Sequence, residues 1–263
     1  MTDAESKEAA KPYLWLDLDD TLWNMSGNSD IVLDNLFYTD PGIHGCFAAV
    51  GSQAWRDLYH EVNVSLWKQY SSGAISRDWL RVERFRRPLV IAGMPEAEAE
   101  SNARRLDKVY LDQLGRCTGL VEGAADLLRR LSEAHFRMGI ISNGFAEVQF
   151  NKMKSGGIDG YFDTVVLSDD IEVNKPDRRL FDYALTRAGV SAGSSVLIGD
   201  NPDTDIFGAL RAGWSAVWFN PRGMDVPENL EQYAGRWIEV RSLAEIVPEM
   251  LVKLAAGSEK HKK

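Results

Sequence analysis

Apolar residues along this chain follow two different rhythms. In the first, short hydrophobic runs end abruptly in polar residues, at 13–16 ahead of Asp17, then at 137–142, 164–168, 195–199 and 215–219. Runs of this length without polar alternation suit strands buried on both faces. Between them lie segments with apolar residues every three or four positions, at 121–134, 146–154, 177–188, 204–212 and 242–254, which read as helices. This alternation predicts an α/β fold, a doubly wound parallel sheet with right-handed crossovers. The second rhythm fills the stretch after the first strand. There Trp55, Leu58, Tyr59, Val62, Leu66 and Tyr70 recur at helical spacing, Leu80, Glu83 and Phe85 do so less regularly, and 97–114 repeats the pattern. A helical cap over 25–118 is therefore expected, inserted into a core made of 12–24 and 119–256, with flexible tails at 1–11 and 257–263.

The ends of the apolar runs carry the candidate chemistry, because ligands gather beyond the carboxyl ends of parallel strands. Asp17 and Asp19 follow the first run two residues apart, a spacing that turns both carboxylates the same way on an extended chain. Taken alone, such a pair is as well explained by a turn or a helix cap. The run 137–142 breaks into Ser142, Asn143 and Gly144, a hydroxyl followed by backbone N–H groups that can turn toward an anion. Lys175 precedes Pro176, which restricts the chain beside it. The run 195–199 ends in Gly199 and Asp200, with Asp205 five positions on. Each fragment has an ordinary structural alternative as a turn, a helix start or a cap.

In this order the four segments resemble the haloacid dehalogenase superfamily, whose signature runs Asp-x-Asp-x-Thr, a hydroxyl, a lysine, then Gly-Asp-x-x-x-x-Asp. The resemblance implies a Rossmann-like core and hydrolysis of phosphomonoesters. It makes Asp17 the nucleophile that carries a transient aspartyl-phosphate and Asp19 the acid and base. It makes Ser142, Asn143 and Gly144 the phosphate cradle, and Lys175 the cation that balances Asp17 and the phosphate. Mg2+ is the implied cofactor, bound through Asp17, the backbone carbonyl of Asp19, and Asp200, with Asp205 placed behind it. Asp19 also favours ester hydrolysis over carbon–halogen cleavage, since an alkoxide needs a proton on leaving and a halide does not.

The cap position, together with 19–24 and 72–85, is similar to the bacterial noncanonical pyrimidine nucleotidase family, which implies a nucleoside 5′-monophosphate as the small phosphorylated partner. Phosphoglycolate and sugar phosphates remain alternative substrates, and a haloacid dehalogenase or a non-catalytic binding module are further ones. Substrate selection would fall to Trp23 and Asn24 beside the first strand and to Arg77 and Arg84 in the cap. Aromatics such as Trp67, Tyr70, Trp79 and Phe85 could stack a base, although rings at helical spacing most often pack a core.

Composition narrows the partners. A chain of 263 residues with 44% hydrophobic content can build a substantial core plus an insertion. A net charge of −9 argues against a nucleic-acid polymer as partner. The two cysteines, Cys46 and Cys117, make neither a disulfide framework nor a metal spacing. With no signal-like apolar run near Met1 and none long enough to cross a bilayer, a cytoplasmic protein without a membrane partner is expected.

Overall fold

The computed structural model describes residues 11–259. The chain divides into two units by its internal contacts: one holds the stretch up to Trp23, Leu120–Gly144 and everything from Ile158 on, and the other holds Asn24–Gly119 and Phe145–Gly157. In chain order the elements are β1 (Tyr13–Leu16), α1 (Met25–Thr39), α2 (Pro41–Phe47), α3 (Gly51–Ser71), α4 (Arg77–Ile91), α5 (Glu96–Leu114), α6 (Ala124–Glu133), β2 (Met138–Ser142) and α7 (Ala146–Ser155). There follow β3 (Thr164–Leu167), α8 (Arg178–Ala188), β4 (Ser195–Gly199), α9 (Gly208–Arg211), β5 (Ser215–Phe219), β6 (Trp237–Val240) and α10 (Pro248–Glu259).

The first unit is an α/β layer structure around one sheet of order β3-β2-β1-β4-β5-β6, parallel throughout. From β1 the chain winds outward through β2 to β3, then returns to the other side of β1 with β4. The reversal between β1 and β4 is the topological switch point, where a crevice opens at the carboxyl ends of the strands. All residues of β1, β2, β4 and β5 are buried, as expected for strands covered on both faces. On one face Trp15 stacks on Trp214 at 5.5 Å between ring centroids, and Phe181 of α8 meets Trp214 edge-on at 5.2 Å. Gly139 of β2 lies under this cluster, and a Cβ there would meet the Tyr13 hydroxyl at 2.7 Å and the Thr164 carbonyl at 2.8 Å.

The sequence pattern does not reveal β6. It is an edge strand whose first three residues are only partly buried, and a short half-exposed segment lacks the solid apolar run that marks the central strands. The segment expected as a helix at 204–212 is a π-helical turn, Pro202–Phe207, that tightens into α9. The last helix also differs from expectation. Its predicted start at 242 caps a short 3₁₀ turn, Leu243–Glu245, and α10 continues to Glu259, because a single Gly257 costs a helix about 1 kcal/mol without ending it. Residues 257–259, expected in a flexible tail, are thus part of α10, and apart from Lys11 the rest of both expected tails lies outside the described residues.

The second unit is helical. Tyr59 of α3, Phe85 of α4 and Tyr110 of α5 meet at 5.1–5.6 Å between centroids, with Trp55 stacked beyond Phe85 at 6.4 Å. Residues 145–157 belong to this unit, whereas the sequence places them in the core. Phe145 stacks on Trp67 at 5.4 Å, the Arg77 guanidinium lies 4.4 Å from the Phe145 ring, and the Ser155 hydroxyl donates to the Gly115 carbonyl at 2.7 Å. Local periodicity announces α7 but not the neighbour it packs against.

Candidate active site

The apolar run of β1 stops at Leu16, so Asp17 and Asp19 lie just beyond the strand rather than on it. Their placement comes from a tight turn, not from strand alternation. The Leu22 and Trp23 N–H groups both donate to the Leu18 carbonyl, and the Asp20 N–H donates to the Trp23 carbonyl at 2.8 Å. Asp20 takes φ +59°, a conformation that Asp tolerates better than most residues. Asp17 stays tied to the neighbouring strand, its N–H donating to the Ile198 carbonyl of β4 at 3.0 Å.

Lys175 reaches this position from the loop before α8. Its Nζ donates to Asp17 Oδ1 at 2.6 Å and to the Ile141 carbonyl at 2.9 Å, and pairs with Asp205 Oδ1 at 2.7 Å. The Lys175 side chain is only 2% exposed. Its pKa is raised: burial works against the charge, but Asp17 and Asp205 outweigh it. Asn143 builds the seat for this lysine. Its side chain donates to the Lys175 carbonyl at 3.0 Å and accepts from the Lys175 N–H at 2.7 Å, and Ser168 Oγ donates to the Asn143 carbonyl at 3.2 Å.

Oxygens of Asp17, Asp200 and Asp205 all lie within 4.8 Å of one another. Asp205 enters this group because the π-helical turn folds back over Gly199, whose missing Cβ leaves the room: one built there would stand 2.6 Å from Asp205 Oδ2. The resemblance implies a place for Asp205 behind the metal, and the fold brings its carboxylate into the cluster and against Lys175. Burial raises the Asp17 carboxyl to about 7, with Asp205 and Asp19 adding to the effect and Lys175 opposing it. Asp200 is also raised, by burial and by the charges of Asp205 and Asp17. Three crowded carboxylates against one lysine leave excess negative charge, and an all-oxygen set of this kind suits a hard divalent cation.

The remaining predicted site residues divide. Ser142 is buried at the carboxyl end of β2, where its Oγ accepts from the Gly144 N–H at 3.2 Å. That contact engages the Gly144 N–H within the loop, and the Asn143 side chain is engaged with Lys175, so both shape the loop as well as border it. Trp23 is fully buried. Asn24 caps α1, its side chain accepting from the Gly27 N–H at 2.8 Å. Arg84 is buried within the helical unit and paired with Asp107 at 2.5 Å. Arg77 is more open, holding Glu147 at 3.1 Å while it covers Phe145. Each of these four has a structural task of its own.

Residues 89–219 match the haloacid dehalogenase-like hydrolase family. The chain is 32% identical over 176 residues to the pyrimidine 5′-nucleotidase YjjG of Escherichia coli (strain K12), covering 65% of this chain and 73% of that one. It is 31% identical over 231 residues to a phosphoserine phosphatase of Thermus thermophilus, covering 83% and 91%. The chain belongs to the haloacid dehalogenase-like hydrolases. Another similar protein is the pyrimidine 5′-nucleotidase PynA of Streptococcus pneumoniae, 29% identical over 81% of this chain and 85% of its own. Among solved structures, the HAD-hydrolase YfnB of Bacillus subtilis bound to magnesium superposes with a TM-score of 0.75 at 26% identity, covering 90% of this chain and 97% of that one. This hydrolase has, among the described residues, no helix long and apolar enough to cross a membrane.

Proposed function

We propose that the chain is a divalent-metal-dependent phosphomonoesterase that works through an aspartyl-phosphate and acts on pyrimidine nucleoside 5′-monophosphates. The observation that carries this reading is Asp17, a buried carboxylate 2.6 Å from Lys175 Nζ, facing two further acids at the switch point of a parallel sheet. Asp17, Asp200 and Asp205 would hold the cation, together with the Asp19 backbone carbonyl, and Mg2+ is the ion proposed. A cation bound there supplies the positive charge that lets an anionic carboxylate approach an anionic phosphate.

The residues of the chain take the remaining roles. Asp17 attacks phosphorus, and the P–O bond to the leaving alcohol breaks as the new P–O bond to its carboxylate forms. Asp19 gives its proton to the departing alkoxide and takes one from the water that cleaves the acyl phosphate. Lys175 stays charged and fixes Asp17 with one oxygen toward itself. Ser142 and the backbone of Asn143 and Gly144 border the phosphoryl group. The pyrimidine assignment is supported by the likeness to YjjG and PynA. Thermus phosphoserine phosphatase favours a second reading, an amino-acid phosphate as substrate.

A panel of UMP, dUMP, dTMP, phosphoserine, phosphoglycolate and sugar phosphates, assayed for phosphate release with Mg2+, separates these readings. Preference for the pyrimidine monophosphates is expected. Preference for phosphoserine overturns the substrate assignment, and ordinary turnover by Asp17→Asn overturns the mechanism.

A further inference from the structure

We propose that Thr21 and Trp218 are positioning residues that hold Asp200, from its carboxylate and from its backbone, in the orientation in which it serves as a ligand for the divalent cation. The inference rests on the reading of the acid cluster given above and adds to it how one of its members is fixed. Thr21 is fully buried, and its Oγ1 donates to Asp200 Oδ1 at 3.1 Å. Trp218, also fully buried, donates its indole N–H to the Asp200 backbone carbonyl at 3.0 Å.

The two contacts come from opposite sides of β4, and each has a local cause. Trp218 of β5 stands in register with Gly199, the last residue of β4, so its ring lies alongside the first residue beyond the strand. Asp200 has left the ladder, and its carbonyl needs a partner that the sheet no longer provides. The Trp218 N–H, which is itself costly to bury unpaired, satisfies it. Thr21 belongs to the turn that follows β1, the strand neighbouring β4 on its other side. Its branched Cβ restricts the hydroxyl to few directions, and burial removes water as a competing partner. One oxygen of Asp200 is thereby held, and rotation of the carboxylate is limited before any ion arrives.

A ligand held in this way loses less freedom on binding, and removing such supporting hydrogen bonds typically weakens metal affinity 10- to 100-fold. Three variants separate a hydrogen-bonding role from a packing role. Thr21→Val keeps the shape and loses the hydroxyl, Thr21→Ser keeps the hydroxyl and loses the methyl group, and Trp218→Phe keeps an aromatic ring and loses the N–H. The full-length protein is stripped with chelator and titrated with Mg2+ in a calorimeter, each variant being checked for a native circular dichroism spectrum. Thr21→Val and Trp218→Phe are expected to bind Mg2+ about 10-fold more weakly or worse, and Thr21→Ser within about twofold of the parent. Phosphatase kcat at saturating Mg2+ should recover in Thr21→Val.

Unchanged Mg2+ affinity in Thr21→Val overturns the proposal, as does an equal loss in Thr21→Ser, which would assign Thr21 to packing. Unchanged affinity in a folded Trp218→Phe removes Trp218 from it. Asp200→Asn tests the underlying reading separately: if that variant binds Mg2+ like the parent, the acid cluster is not the cation site and the failure lies there.

Discussion

Asp17 is the residue on which pH should act most visibly. In the folded protein without a cation its carboxyl is raised to about 7, first by burial and then by Asp205 and Asp19, against the pull of Lys175. An unfolded chain releases this proton near the ordinary carboxylate pKa of about 4, so between about 4 and 7 the folded state binds more protons. The stabilisation is complete below about 4 and is lost as pH rises through about 7. Lys175, raised from an already high value, does not titrate in that window. Metal-free protein should therefore lose thermal stability from pH 5 to pH 8, and Asp17→Asn should flatten that slope. A second expectation concerns Asn143, whose side chain makes two hydrogen bonds to the Lys175 backbone. Asn143→Ala should cost about 1–3 kcal/mol in urea unfolding and lower phosphate release at saturating substrate, because Lys175 loses its seat.

At the level of elements, α4 shows how a basic run on a helix is divided by its neighbours. Arg84 points into the helical unit against Asp107 of α5, which Arg81 also holds at 2.8 Å. Arg86 and Arg87 close on Glu83 from the same helix; burial pushes its carboxyl up and the two guanidiniums together pull it below its usual range. Breaking a buried pair costs about 3–5 kcal/mol when one charge is left alone. Arg84→Met leaves Asp107 with Arg81, whereas Asp107→Leu strands the buried Arg84. Urea titrations should rank Asp107→Leu as the more damaging, and equal losses would show that Arg81 does not compensate. The element predictions from periodicity succeed where an apolar run is unbroken, as at β4 and β5, and miss β6, whose first three residues are partly exposed.

For the whole molecule, binding of a cation at the acid cluster should stabilise the native state by about 2.7 kcal/mol at 100 times its dissociation constant. Because Asp17 and Asp200 lie just beyond the ends of β1 and β4, local hydrogen exchange should slow first in those strands on adding Mg2+, with α4 and α5 changed less. Uniform slowing across both units would show that their stabilities are coupled. The sequence by itself determined the class of fold, and it displayed acids and a hydroxyl where apolar runs stop and a lysine just before Pro176. These are local signals: a buried strand needs a short apolar run, a helix needs its period, and a reactive edge needs polar residues where the run stops. Tertiary structure alone decided the partners. It set Lys175 between Asp17 and Asp205, drew Asp205 over Gly199 into the cluster, turned Asn143 toward the lysine loop, buried Arg84 and gave α7 to the helical unit. Those outcomes depend on distances between segments far apart in the chain, which periodicity and composition do not encode.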